Sequence, residues 1–161
     1  MTPDGRRDGA TLVKWMGIED ANTAGFVHGG TVMRLCDEAA GIAAGRHSRR
    51  RVVTAGVDRM TFVTPVHVGE LLVLLASVNA VWRTSMEVGV RVCAEEVRTG
   101  RVRHTSTAYL TMVALDDDGH PTAVPPHEPA GEVGRRRERE AQLRRANRLA
   151  ERDEILSQRS G

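Results

Sequence analysis

The chain has 161 residues, a formal charge of +2 at pH 7, 3% aromatic residues and two cysteines. That length suits one sizeable core and no second ordinary domain, and so few aromatic rings leave no stacking platform for single-stranded nucleic acid. Cys36 and Cys93 lack metal-ligand spacing, no charged-then-apolar leader opens the chain, and the most apolar run is broken by Ser77 and Asn79, so the expectation is a cytoplasmic, disulfide-free protein that binds neither nucleic acid nor membrane.

Residues 1–134 carry 14 basic and 16 acidic side chains and residues 135–161 carry nine and five, so the basic character belongs to the tail. Residues 1–9 are polar and rich in Gly, Asp and Arg and read as a disordered N-terminus. Thr11 to Met16 is a short strand. A polar, glycine-rich loop from Asn22 to Gly30 then runs into a helical pattern with Val32, Leu35, Cys36, Ala39, Ile42 and Ala43 at helical spacing. Small residues on nearly every side (Ala39, Ala40, Gly41, Ala43, Ala44, Gly45) predict a buried helix that a sheet can approach closely. Arg34 and Glu38, four apart, can pair on its surface. Asp37 shares a line with Met33, Ala40 and Ala44, so its carboxylate is expected to face packed protein or a cleft, where an unpaired charge is costly unless it has a function.

The run Arg46-His47-Ser48-Arg49-Arg50-Arg51 ends this helix, either complementing its dipole or offering a phosphate site. Strands follow in quick succession. Residues 52–63 are rich in β-branched side chains and close at Thr64-Pro65, residues 70–82 are long and apolar, and after a turn at Arg83-Thr84 the residues Met86, Val88, Val90 and Val92 alternate with Glu87, Gly89 and Arg91. A turn at Thr99-Gly100 leads to a last strand over residues 101–115, and prolines at 121, 125 and 126 end the domain. One strand, one buried helix and four strands give an α+β domain over residues 10–130, an antiparallel sheet wrapped round one long helix. Residues 131–161 form an arginine-rich helical extension with a narrow stripe of Leu143, Ala146, Leu149 or Ala150, and Leu156, flanked by pairs such as Glu140 with Arg144 and Arg148 with Glu151. Interspersed acids favour a solvated helix that packs on a neighbouring subunit over an arm for an anionic partner.

The sequence Asp20-Ala21-Asn22-x-x-Gly25-x-x-His28-Gly29-Gly30, followed by Leu35-Cys36-Asp37-Glu38-Ala39-Ala40-Gly41-Ile42-Ala43-Ala44-Gly45-Arg46-His47, resembles the cytosolic acyl-CoA thioesterases of the hotdog fold, the group of the brain-type acyl-CoA hydrolase and its bacterial relatives. The resemblance extends over about residues 12–129 and includes Met60-Thr61-Phe62 and Pro65-Val66-x-x-Gly69. It implies a five- or six-stranded sheet around the helix, edge-to-edge homodimers assembled as a trimer of dimers into hexamers, and active sites at the dimer interface. Each site would take Asn22 from one subunit and Asp37 from the other, with acyl-CoA as substrate.

Thioester hydrolysis needs an activated water and a group that stabilises the oxyanion. Asp37 can act as general base, its basicity raised by shielding from solvent, or as nucleophile through an anhydride; the sequence leaves both open. The backbone N–H groups of Gly29 and Gly30, at the positive end of the helix, are candidate oxyanion donors, with His28 supporting the loop and Asn22 holding the water or the thioester. Arg49, Arg50 and Arg51 are candidates for the CoA phosphates. The histidines share no metal spacing, so no metal and no cofactor beyond the CoA of substrate and product is expected. A hotdog hydratase or dehydratase pairing His28 with Asp37 or Glu38, and a non-catalytic acyl-CoA-binding module, are the rival readings; Gly29-Gly30 and Asn22 favour the thioesterase.

Overall fold

The computed structural model describes residues 9–159. In chain order it contains β1 (Gly9–Trp15), a single 3-10 turn (Ile18–Asp20), α1 (Gly29–Ser48), β2 (Arg51–Val57), β3 (Thr61–Phe62), β4 (Leu71–Val81), β5 (Ser85–Glu96), β6 (Arg101–Leu115) and α2 (Gly131–Arg159). The strands form one antiparallel sheet in the order β1-β4-β5-β6-β2, with β3 also on β6. Of the N-terminal segment expected to be disordered, residues 1–8 lie outside the described residues, while Gly9 opens β1 opposite Ser77.

The single strand expected over residues 52–63 is two strands. β2 pairs with β6 from Arg51↔Leu115 to Val57↔Leu110, and β3 pairs further along the same strand as Thr61↔Thr107 and Phe62↔Ser106. A bulge between Thr54 and Gly56 adds one residue to this side, and the break at residues 58–60 adds another. Extra residues on one strand of a pair bend and twist it. This edge of the sheet is therefore irregular at two points within eight residues.

Alternation along β4, β5 and β6 gives the sheet two different faces. The inner face carries Leu72, Leu74, Val88, Val90, Val92, Leu110 and Met112, all essentially without solvent exposure. Against it lies α1, whose Ala39, Ala40, Ala43 and Ala44 are completely buried together with Val32, Leu35 and Cys36. With little more than Cβ atoms along that stripe, the helix backbone sits close enough for five strands (β1, β2, β4, β5, β6) to touch it. Two expectations for α1 are corrected here. Ile42 is 42% exposed, and Asp37 is exposed as well, on the line that begins at Met33 (44% exposed). The sheet curls round one side of the helix only: further along the line of Met33 and Asp37, Ala40 and Ala44 are completely buried, while Met33, Asp37 and Ile42 belong to the broad face that the chain leaves uncovered.

The outer face carries Glu87 and Tyr109, and α2 docks there through arginines. Arg144 meets the fully buried Glu87 carboxylate (Nη2–Oε1 2.7 Å, Nε–Oε2 3.1 Å), which also accepts from Asn79 Nδ2 at 3.1 Å. Burial alone would lower the Arg144 pKa, but the ion pair outweighs it and holds the guanidinium firmly charged. The same guanidinium lies 3.6 Å from the centre of the Tyr109 ring, and Arg145 lies 4.4 Å from that of Trp82. Arg148 binds both oxygens of Asp58, and Arg137 donates to Ser77 Oγ. Ala141 and the arginines beside it face the sheet, whereas Leu143 and Leu156, of the stripe expected to pack on a neighbouring subunit, are 62% and 52% exposed in the single chain. Carboxylates and aromatic rings on the outer face select guanidinium groups where aliphatic side chains would leave Glu87 unpaired.

A buried carboxylate stripped of its counter-ion is strongly destabilising, whereas replacing the whole pair by neutral groups of similar volume is not. In urea unfolding at fixed protein concentration, Arg144→Met should lower stability by about 3–5 kcal/mol. Adding Glu87→Gln in the same chain should restore most of that loss.

Candidate active site

The loop between the 3-10 turn and α1 is a closed structure held by its own backbone. Asn22 N–H donates to Phe26 O (2.7 Å), Val27 N–H to Val66 O (2.8 Å) and His28 N–H to Asp20 O (2.7 Å). Asn22 Oδ1 accepts from the N–H groups of Ala24 and Phe26, which fixes its side chain and leaves the Nδ2 hydrogens without an acceptor among the described residues. His28 is the N-cap of α1: its Nδ1 accepts from Gly30 N–H at 3.0 Å, so Nε2 carries the ring proton. Space at the two glycines is limited unequally, tight at Gly30 and ordinary contact at Gly29. A Cβ on Gly30 would stand 3.2 Å from His28 Nδ1, and one on Gly29 would meet the Phe62 ring at 3.5 Å. Of the two N–H groups considered for an oxyanion, that of Gly30 is used by the cap, and that of Gly29 has no acceptor among the described residues.

Two carboxylates anchor this loop to the sheet. Asp20, buried, takes both of its oxygens to Lys14, the only lysine of the chain, at 2.8 and 3.0 Å, and accepts from Gly17 N–H. The Lys14 hydrogen bond holds its carboxyl below the ordinary aspartate range against the opposing effect of burial. Glu70 accepts from Arg103 and from His67 N–H; burial pushes its pKa up, but Arg103 and the backbone donor prevail and hold it down. Arg103 also reaches Pro65 O, so the turn at residues 65–70 is tied to β6 and, through Val66 O, to the loop.

Asp37 lies on α1 eight residues past Gly29. Its Oδ1 accepts a short hydrogen bond from Thr54 Oγ1, and that threonine also contacts Met112 Sδ. Because the hydroxyl donates, the carboxylate is fixed in orientation and Oδ2 keeps its lone pairs for a second donor. Sequence reasoning missed Thr54, which reads as one more β-branched strand residue. Cys36, next to Asp37, is not a competing nucleophile: it is 1% exposed, and burial, with Asp37 beside it, pushes its thiol up to about 12. Glu38 pairs with Arg34 on the surface.

The arginine run divides by partner. Arg46 donates to Gly9 O, and Arg51 donates to the carbonyls of Asp116 and Asp117. Arg49, which ends α1 in the left-handed conformation (φ 56°), and Arg50 are exposed and keep their guanidinium groups free among the described residues. Asp116, Asp118 and His120 come within 4.8 Å of one another, but Asp116 Oδ1 already accepts from the N–H groups of residues 118 and 120, the bonding of a turn. No described helix is long and apolar enough to cross a membrane.

A long helix inside a curled antiparallel sheet, with a glycine loop at its N-terminus and a carboxylate on its outer line, is the arrangement of hotdog-fold enzymes. Residues 24–101 match the family model of the thioesterase superfamily. The protein VdlD of Helicobacter pylori is 43% identical over 117 residues, 73% of this chain and 67% of that one. A hexameric acyl-CoA thioesterase solved without ligand superposes with a TM-score of 0.87 at 36% identity, covering 90% of this chain and 93% of its own. An acyl-CoA hydrolase of Staphylococcus aureus, solved with butyryl-CoA, CoA and CoA disulfide, does so with 0.86 at 32% identity, covering 94% and 92%. That hydrolase was also solved with an asparagine, an aspartate and a threonine each replaced by alanine, the asparagine 15 positions before the aspartate and the threonine 17 after it. The chain belongs to the thioesterase superfamily.

A folded-state pKa below the unfolded one gives stability that is complete above the unfolded value and is lost as the pH falls through the folded one. For Asp20 the ordinary value is 3.8 and for Glu70 it is 4.5, and both are lowered in the fold. The thermal midpoint should therefore fall as the pH is taken from about 5 to about 2. Asp20→Asn, measured over the same range, should flatten part of that acid limb.

Proposed function

We propose that the protein hydrolyses acyl-CoA thioesters to free acid and CoA, with Asp37 as general base. A water held by Oδ2 gives up a proton to Asp37 as its oxygen bonds to the thioester carbon; the oxyanion collapses, the C–S bond breaks, and CoA leaves as a thiolate that recovers the proton. Gly29 N–H, aided by the positive end of α1, donates to the oxyanion, and Asn22 Nδ2 holds the water or the carbonyl. Thr54 orients Asp37. Asn22, Asp37 and Thr54 stand at the same spacings as the three residues replaced in the S. aureus hydrolase, which supports the assignment.

The observation that carries the reading is the separation of the parts. Eight residues of helix put Asp37 roughly 12 Å along the axis from Gly29, whereas base and oxyanion donor must both lie within hydrogen-bond reach of one reacting centre. We therefore have the loop of one subunit meet the carboxylate of another, on the uncovered face of α1 to which Met33, Asp37 and Ile42 belong. We place two such composite sites in each homodimer, the dimers assembling further as in the hexameric relative. Arg49 and Arg50, free of partners among the described residues, are the donors we assign to the CoA phosphates; Arg51, bound to two carbonyls, supports the Asp116 turn. His28, with Nδ1 committed to Gly30, caps the helix and is a poor match for the acid or base of a hydratase. We place the enzyme in the cytoplasm, with both cysteines reduced.

Asp37→Asn keeps volume and hydrogen-bonding atoms while removing the base. It should cut turnover of acyl-CoA, followed by thiol release, by about 10²- to 10⁴-fold with the oligomer intact. Near wild-type turnover would overturn the assignment. Single-turnover hydrolysis in ¹⁸O-water tests for a nucleophile: unlabelled acid in the first product, with the label in Asp37, would show an anhydride opened by water at the Asp37 carboxyl carbon.

Subunit mixing tests the composite site. Asn22→Ala and Asp37→Ala proteins, each inactive, should regain about a quarter of wild-type activity after equal random exchange, because half of the dimers are mixed and each then has one intact site of two. No recovery after verified exchange would place both residues in one subunit's site.

A further inference from the structure

Asp58 stands at the break between β2 and β3, four residues after Thr54, which holds Asp37, and four before Phe62, whose ring lies against Gly29. The bulge at Thr54 and the break together make this edge irregular: from Thr54 to Thr61 it takes seven steps while β6 takes five. A backbone with two extra residues has several ways to place them, and something outside the strand has to choose one. Two contacts do so at Asp58. Its N–H donates to Tyr109 O at 2.9 Å, and both of its carboxylate oxygens accept from Arg148 Nη1 at 2.9 Å. Arg148 comes from the C-terminal half of α2, one turn past Arg144, which is seated on the buried Glu87 and on the Tyr109 ring. The carboxylate and guanidinium are largely shielded, with side-chain exposures of 21% and 33%.

We propose that Asp58 and Arg148 form a positioning clamp through which α2, outside the catalytic machinery and on the far face of the sheet, sets the bend between β2 and β3 and thereby holds Thr54 against Asp37 and Phe62 over Gly29. Neither residue of the clamp touches the reacting atoms. Its effect is on orientation: a carboxylate base works only when its free oxygen points at the water, and small misplacements are expensive in rate. The proposal gives the arginine-rich tail a function that its exposed, charge-mixed surface does not suggest, and it rests on Asp37 and Thr54 acting as assigned above.

A double-mutant cycle on the full-length oligomer tests it, with kcat and KM for an acyl-CoA, the thermal midpoint and the sedimentation coefficient measured for each protein. Arg148→Ala should lower kcat about ten-fold while KM changes by less than about two-fold, and Arg148→Lys should keep most of the activity. In a Thr54→Ala background, where the hydroxyl to be positioned is absent, the same Arg148→Ala change should cost clearly less than about ten-fold further, the remainder passing through Phe62 and Gly29. A merely structural role moves the thermal midpoint or the oligomer and adds its full effect in both backgrounds. Unchanged kcat in Arg148→Ala, full additivity with Thr54→Ala, or a loss that follows dissociation of the oligomer overturns the clamp. If Arg148→Ala does not fold, Asp58→Asn enters the same cycle, keeping the shape of the side chain while removing its charge. Loss of turnover in Asp37→Asn alongside a flat Arg148 result overturns the clamp alone, whereas an active Asp37→Asn overturns both readings.

Discussion

A helix can be wrapped by a curled sheet only if the side chains between them are short, and the run Ala39, Ala40, Ala43, Ala44 meets that condition with four completely buried residues. Longer side chains there would hold the sheet off the helix, and overpacking a filled core costs about 1–3 kcal/mol per site. Close packing on one side fixes the other side by subtraction. The strands reach α1 from β1 round to β2, so the face that holds Met33, Asp37 and Ile42 is left bare, and any chemistry on that face needs a second surface to close over it. The interface site of the proposed enzyme is in this sense a consequence of the alanines.

The loop that completes such a site from the neighbouring subunit has to arrive already formed. Its rigidity comes from partnered polar atoms more than from burial: Asn22 Oδ1 takes two backbone donors, His28 caps the helix, and Asp20 with Lys14 pins the preceding turn to β1. What remains unpartnered is correspondingly informative. Gly29 N–H and Asn22 Nδ2 are donors with no acceptor among the described residues, in a loop where most backbone N–H groups have one, and donors left over in this way suit an oxygen of a ligand.

Much of this was legible from residues alone. The helix, its alanine stripe, the Arg34–Glu38 pair, the long strands and the turns at residues 83–84 and 99–100 follow from period and punctuation, and the loop motif pointed to Asn22, Asp37 and the glycines. Three things were not. Periodicity places Asp37 on a line with Met33 but does not say which half of the helix circumference the sheet covers, so the carboxylate was expected to face packed protein or a cleft, and in the single chain it is exposed. A run of β-branched residues carries no register, so the bulge beside Thr54 and the break at Asp58 were invisible, and with them the role of Thr54. A Glu alternating with valines reads as a solvated outer position. Glu87 is instead completely buried, and nothing in the sequence but the arginine content of the tail hints at the cover.

The two faces of the sheet thus hold their helices by different physics. Burial of α1 is apolar and indifferent to direction, so shape decides its position. Docking of α2 rests on bidentate and stacked guanidinium contacts at Glu87, Tyr109 and Asp58, which are directional and tolerate little sliding. A helix held at several points by planar groups has essentially one seat, and an irregular edge strand tied to it inherits that seat. Placing the directional helix on the face away from the chemistry leaves the bare side of α1 free for a second subunit, while the bend that carries Thr54 is still held from behind.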